Sequence, residues 1–246
     1  VIAVLPLLIA FSGCGGDTTE SEPTEQSIAT SPAEAAPISP ESTPAAPEVP
    51  APIPVDDSLI VPGERVGMLT ATASAADLIA AYGVENVRDE PYPLGEGESE
   101  PGTVIFPDDP ARRLVILWSN LEKKARPLAA RIDGAGSQWK TAEGVSVGSA
   151  LKTVEQLNGK PFLLYGFGWD YGGQLVDSNG GALKDLPHED PEGGFRGGDL
   201  LLTFQPDPTA DASEVLGDGT FSSDHPAMQA LDPKVSVIVV NFPDAG

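Results

Sequence analysis

Residues Asn158–Gly173 read NGKPFLLYGFGWDYGG, five aromatic and five glycine residues among sixteen. Read as a strand, the alternation points Leu163, Tyr165, Phe167, Trp169 and Tyr171 to one side. Phe162, Leu164, Gly166, Gly168 and Asp170 point to the other. The aromatic side is expected to be the sheet surface onto which the preceding helix folds back, since ring burial supplies large apolar area. The bare glycine positions admit a close backbone, a bend or a bulge. Trp169, Asp170 and Tyr171, at the turn that ends the stretch, form the candidate ligand or partner surface.

Upstream of this stretch, Ser149 is placed to cap a helix whose apolar stripe is Leu151, Val154 and Leu157, stopped by Asn158-Gly159 before Pro161. An earlier segment repeats the plan. Ser74 with Asp77 makes a capping box, Leu78, Ile79 and Tyr82 form the stripe, and Gly83 ends it. Each helix follows a glycine-containing β-like stretch, GERVGMLTAT and EGVSVG. Strands are predicted at Thr103–Phe106 and Leu114–Trp118 around a Pro107-Asp108-Asp109-Pro110 turn, and near Leu128–Ile132. Others are predicted at Phe162–Trp169, Gln174–Asp177, Leu200–Phe204 and Val235–Phe242, with a turn at Ser178–Gly181. The expected class is α+β, with two related halves (59–136 and 137–246) in one globular unit. Each half carries a short helix packed on an antiparallel β meander.

Gly67, Ser74, Asp77-Leu78 and Tyr82-Gly83 in the first half match Gly144, Gly148-Ser149, Leu151 and Leu157–Pro161 in the second. This pattern is similar to bacterial lipoprotein repeats of the β-lactamase-inhibitor-like type, including the small outer-membrane-assembly lipoproteins. The strings VPGERVG, TVIFPDDPARRL and NGKPFLLYGFGWDYGG look like an exported bacterial lipoprotein family. The resemblance implies a helix leading into an antiparallel sheet whose face is presented to another protein. It implies no catalytic residues.

The N-terminus carries an address. Residues 1–13, VIAVLPLLIAFSG, are apolar and uncharged, shorter than the roughly 20 residues of a spanning helix and suited to the core of an export signal. No basic region precedes them and the chain begins at Val1, so the extreme N-terminus of the signal is expected to be missing. Phe11-Ser12-Gly13-Cys14 resembles a lipobox, with Phe11 where the family has Leu, and Cys14 is the one cysteine of the chain. Lipidation at Cys14, palmitate included, makes the membrane a partner through several acyl chains.

Residues 15–58 contain neither an aromatic residue nor Lys or Arg and are rich in Pro, Glu, Ser and Thr. With Cys14 they read as a tether, 14–58, that is too poor in apolar surface to fold. Gly15 lacks the Asp that resembles an inner-membrane retention signal, so the expected location is the outer membrane, facing the periplasm or the cell surface. A net charge of -23 repels nucleic acid.

Catalytic chemistry is sparse. His188 and His225 sit in no ligand spacing, and His225 reads as the start of a short helix, Pro226–Leu231. The loop 188–194 with Asp199 gathers carboxylates but does not match a calcium loop. No nucleophile elbow, P-loop or dinucleotide fingerprint is present. No metal, cofactor or catalytic residue is therefore expected. The expected role is a non-enzymatic, lipid-anchored binding or assembly protein of the cell envelope, with an envelope protein as partner. Two alternatives stand beside it: a glycan hydrolase using carboxylates near Trp169-Asp170-Tyr171, and a purely structural surface protein.

Overall fold

Strand-forming runs of Val, Ile and Leu bounded by Gly, Pro and Asp turns build most of the structure. It is a computed structural model that describes residues 53–95, 97–189, 195–196 and 198–243. The export signal, Cys14, nearly all of the tether and the loop 190–194 lie outside the described residues.

In the first half, strands β1 (Leu59–Val61), β2 (Arg65–Val66) and β3 (Leu69–Thr70) lead into helix α1 (Ala75–Tyr82). A meander follows: β4 (Val87–Gly95), β5 (Glu98–Ile105), β6 (Leu114–Asn120) and β7 (Ala125–Ile132). The second half opens with β8 (Lys140–Thr141) and helix α2 (Leu151–Asn158). It continues through β9 (Leu163–Tyr165), β10 (Leu175–Asp177), β11 (His188–Glu189), β12 (Phe195–Arg196) and β13 (Leu200–Gln205). β14 (Thr220–Ser222), helix α3 (Pro226–Leu231) and β15 (Lys234–Asn241) complete it. The class is α+β, with short helices against antiparallel strands.

The halves share their sheets. The largest is six-stranded and antiparallel, in the order β13-β15-β7-β6-β5-β4, so the last strand of the chain pairs with the last strand of the first meander. In a second sheet, β1 lies parallel to β8, with Leu59 opposite Lys140. A third, β10-β9-β14, carries the opening stretch. One core, including Leu78, Phe106, Ile116, Leu151, Phe162 and Phe204, fills the space between helices and sheets. A smaller apolar cluster of Tyr92, Val104, Val115, Leu117 and Ala129 lies apart from it. Burial pushes the Tyr92 phenol up to about 12.

Both edges of the large sheet are blunted against a further strand. On β4, Pro91 stands opposite Pro101. Neither proline has an N–H, so this must be a non-hydrogen-bonded pair, and the missing donors of Pro91 and Pro93 are those that would face the free edge. On β13, the Leu200 and Phe204 N–H groups already donate to the Asp185 and Gly173 carbonyls, at 2.9 and 2.8 Å. Edges of this kind are poor templates for a partner strand.

The helix ends follow local chemistry. Ser74 and Asp77 form the reciprocal capping box, and the Gly83 N–H caps the Ile79 carbonyl. His225 caps α3, accepting the Ala227 N–H on Nδ1 at 3.2 Å.

Other expectations need correction. Ile79 is exposed, because the α1 stripe consists of Leu78 and Tyr82, packed by Phe106. Ala150 occupies the α2 cap position, because the Ser149 hydroxyl is taken by the Ser146 N–H. EGVSVG contributes a bridge at Ser146 while the entry strand β8 lies just before it. The predicted long strand Phe162–Trp169 ends at Tyr165, and the buried residues of the stretch are Phe162, Leu164 and Phe167 rather than the whole Tyr165–Tyr171 row.

Candidate functional site

Strand β9 stops where Gly166 lets other backbone in. A Cβ at Gly166 would lie 2.6 Å from the Gly217 carbonyl oxygen and 2.8 Å from that of Val215, so only glycine permits this approach. The next residues are then locked to the 215–219 segment. The Gly166 N–H donates to Gly219, Phe167 to Val215, and Gly217 back to Phe167, all within 2.9 Å. On the other flank, the Phe204 N–H of β13 donates to the Gly173 carbonyl.

Between these anchors the chain turns out toward solvent as Trp169-Asp170-Tyr171-Gly172. The turn is closed by a backbone bond, the Gly172 N–H on the Trp169 carbonyl at 2.9 Å. Trp169 and Tyr171 are 37% and 42% exposed, while Phe167 is buried. The Trp169 Nε1–H donates to the Gly166 carbonyl at 3.0 Å, which sets the indole plane. Tyr165, Trp169 and Tyr171 then stack edge to face, with centroids 5.2 and 5.3 Å apart. The aromatic row divides by depth: its middle joins the core and its tip forms an exposed knuckle pinned on both flanks.

The knuckle borders a groove of about 540 Å³. Phe167, Phe204 and Leu216 contribute apolar surface, Pro206, Pro208 and Ala212 line the far side, and Asp170 and Asp207 stand among them. Leu216 is 53% exposed. Thr209 donates to the Asp207 carboxylate through its N–H and its hydroxyl, at 2.9 and 2.6 Å, which holds that carboxyl below the usual carboxylate range. Sequence reading singled out Trp169, Asp170 and Tyr171 but missed Leu216 and the 205–212 loop. These lie far along the chain and carry no motif.

A second groove, of about 550 Å³, lies along the β4–β5 hairpin and is lined by Pro91, Pro101, Trp118 and Leu121 among others. Buried Trp118 donates from Nε1 to the Thr103 hydroxyl at 2.9 Å, Thr103 donates to Asp89 at 3.2 Å, and Asp89 pairs with Lys124. These polar groups satisfy one another. The relay holds the hairpin to the meander.

The remaining candidates are scattered. Asp199 packs against Gly63, and its charge, after burial and Glu143 and together with Glu64, raises the Asp185 carboxyl. Among the described residues no group of three or more His, Cys, Asp or Glu side chains is arranged to hold a metal. The His188 ring lies 3.1 Å from the Leu186 carbonyl, and His225 is a helix cap. No family model, no curated protein and no solved structure matches the chain.

Proposed function

We propose that the protein is a lipid-anchored, non-enzymatic docking protein of a bacterial cell envelope, tethered through Cys14 and binding an envelope partner at the Trp169–Tyr171 knuckle. One observation carries the docking site: two large aromatic side chains are held in solvent on a turn fixed by backbone hydrogen bonds to two separate segments. Rigid exposed aromatics give contact area at small entropic cost, which favours binding. The apolar run before Cys14 and the uncompacted composition of residues 15–58 support the anchor and the reach. Outer-membrane anchoring belongs to the same proposal.

The hydrolase reading needs a carboxyl kept protonated beside the platform. Asp207, which shares the groove with Asp170, has its pKa lowered by its Thr209 hydrogen bonds and does not supply that acid, and the fixed, exposed aromatic turn favours docking.

The test is made in cells with the full chain. A photo-crosslinking residue replacing Tyr171 should give a discrete adduct that Trp169→Ala removes, and fatty-acid labelling should be lost in Cys14→Ser. Release of sugar fragments from purified envelope glycan, abolished by Asp170→Asn, would overturn the docking reading. An unlabelled, soluble wild-type protein would overturn the anchor.

A further inference from the structure

The groove beside the knuckle continues around a loop. It shares Gln205, Pro206 and Asp207 with one neighbouring depression, of about 220 Å³, and Ala210 with another, of about 490 Å³. Those two share Leu231. Three shallow depressions thus encircle the 206–212 loop as one elongated surface. Their apolar parts come from Trp169, Leu216, the loop prolines and Leu231. Their charged side chains are Asp170, Asp207, Asp211, Glu214 and Asp232 against the single cation Lys234.

Thr209 and Ser213 hydrogen-bond Asp207 and Asp211, and neither neutralises a charge. The surface keeps an acidic excess, Lys234 being the one cation that acts on Asp207, in contrast to the β4–β5 groove, where Asp89 meets Lys124 and Glu90 meets Arg88 and Arg113.

Resting on the docking role of the knuckle, we infer that its occupant is a basic, partly apolar polypeptide segment in extended form, laid around the 206–212 loop. Three features of the surface select it. The carboxylates complement Lys or Arg and repel phosphates and acidic lipid headgroups. The Trp169 indole face, which lines the groove, accepts a guanidinium or ammonium by cation–π attraction. The length and openness of the surface suit a chain that alternates charged and apolar side chains better than a compact small molecule, which is enclosed on most sides when bound. Addition of the segment as a strand is disfavoured at the large sheet, because prolines on β4 and occupied N–H groups on β13 blunt both its edges.

The test uses the full 246-residue chain with a fluorescent synthetic peptide of alternating arginine and leucine, followed by anisotropy. Three comparison ligands are the same peptide with glutamate for arginine, the same peptide with citrulline for arginine, and spermine. Binding of the arginine peptide is expected, weakening as salt rises. The glutamate peptide should not bind, and citrulline and spermine should each bind more weakly than the parent. The double variant Asp170→Asn, Asp207→Asn keeps side-chain shape and should weaken binding about fivefold or more. Trp169→Ala should weaken it about tenfold.

Equal binding of the glutamate peptide overturns the inference, as does spermine binding as tightly as the peptide. A Tyr171 crosslink in cells that depends on Trp169, together with no binding of the arginine peptide, overturns the basic partner and leaves the docking role standing. Arginine-peptide binding that Trp169→Ala and the double Asn variant both leave intact overturns the assignment to this surface.

Discussion

Replacing two glycines of nearly equal positive φ separates torsional strain from steric conflict. Gly159 and Gly173 have φ of 72° and 76°, so an alanine at either site incurs the left-handed penalty of about 1–2 kcal/mol. A Cβ at Gly159, the C-cap of α2, meets nothing within 4 Å, whereas at Gly173 it lies 2.0 Å from the Phe204 carbonyl oxygen and 2.9 Å from the Phe167 ring. To restore an ordinary contact of 3.4 Å, β13 must retreat by about 1.4 Å.

That movement stretches the 2.8 Å bond from the Phe204 N–H to the Gly173 carbonyl, a net loss of about 1 kcal/mol. Overpacking adds about 1–3 kcal/mol. Gly173→Ala should therefore cost about 4 kcal/mol, a large part of the 5–15 kcal/mol typical of a domain, and Gly159→Ala about 1–2 kcal/mol. Urea denaturation of the two variants measures the difference, and near-ultraviolet circular dichroism should register the loosened Trp169 knuckle only in Gly173→Ala. Equal destabilisation of the two, within about 0.5 kcal/mol, would refute the claim that β13 pins the knuckle by contact.

Three further expectations follow from burial and charge. Phe162 is fully buried and stacks on Phe204 with centroids 5.5 Å apart, so Phe162→Ala should cost about 3–5 kcal/mol in denaturant unfolding. Burial first, then Glu143, Asp199 and Glu64, raises the Asp185 carboxyl. Its contribution to stability is complete below the usual carboxylate pKa and is lost as pH rises through the raised folded value. Asp185→Asn should thus melt higher than wild type at neutral pH, with the gap closing below about pH 4; identical melting at neutral pH would sink this account. In an alkaline difference spectrum, the phenolate component near pH 12 should vanish in Tyr92→Phe, and the favourable burial of the neutral ring should be lost as pH rises from about 10 toward that value.

What could be read from the sequence tracks the range of the forces involved. The α1 capping box and the α3 start at His225 involve neighbours a few residues apart, and both were legible. The β4–β5 hairpin was not, because Pro91, Pro93 and Pro101 read as strand breakers and are tolerated only where their missing donors face a free edge. The aromatic stretch was half legible. Its glycines announced close backbone approach, yet the period of two held only for Leu163–Tyr165, since Gly166 ends the strand and the alternation loses its meaning beyond it. Trp169, Asp170 and Tyr171 stood out by composition, whereas Leu216 and Asp207 reach the same groove only through the Phe167–Val215 and Gly173–Phe204 backbone pairings.

Those pairings also constrain how any partner approaches. An antiparallel sheet commonly recruits a chain by edge pairing, in which backbone groups supply affinity with little regard to side chains. Here Gly173 occupies the Phe204 N–H of the edge strand β13, and in doing so it fixes the turn that presents Trp169 and Tyr171. The contact that removes a backbone template is the one that makes a side-chain platform. Recognition at this end of the molecule must then depend on ring faces and carboxylates, which discriminate by charge and shape. For a chain of net charge -23, that dependence favours basic partners over the acidic surfaces of its own copies.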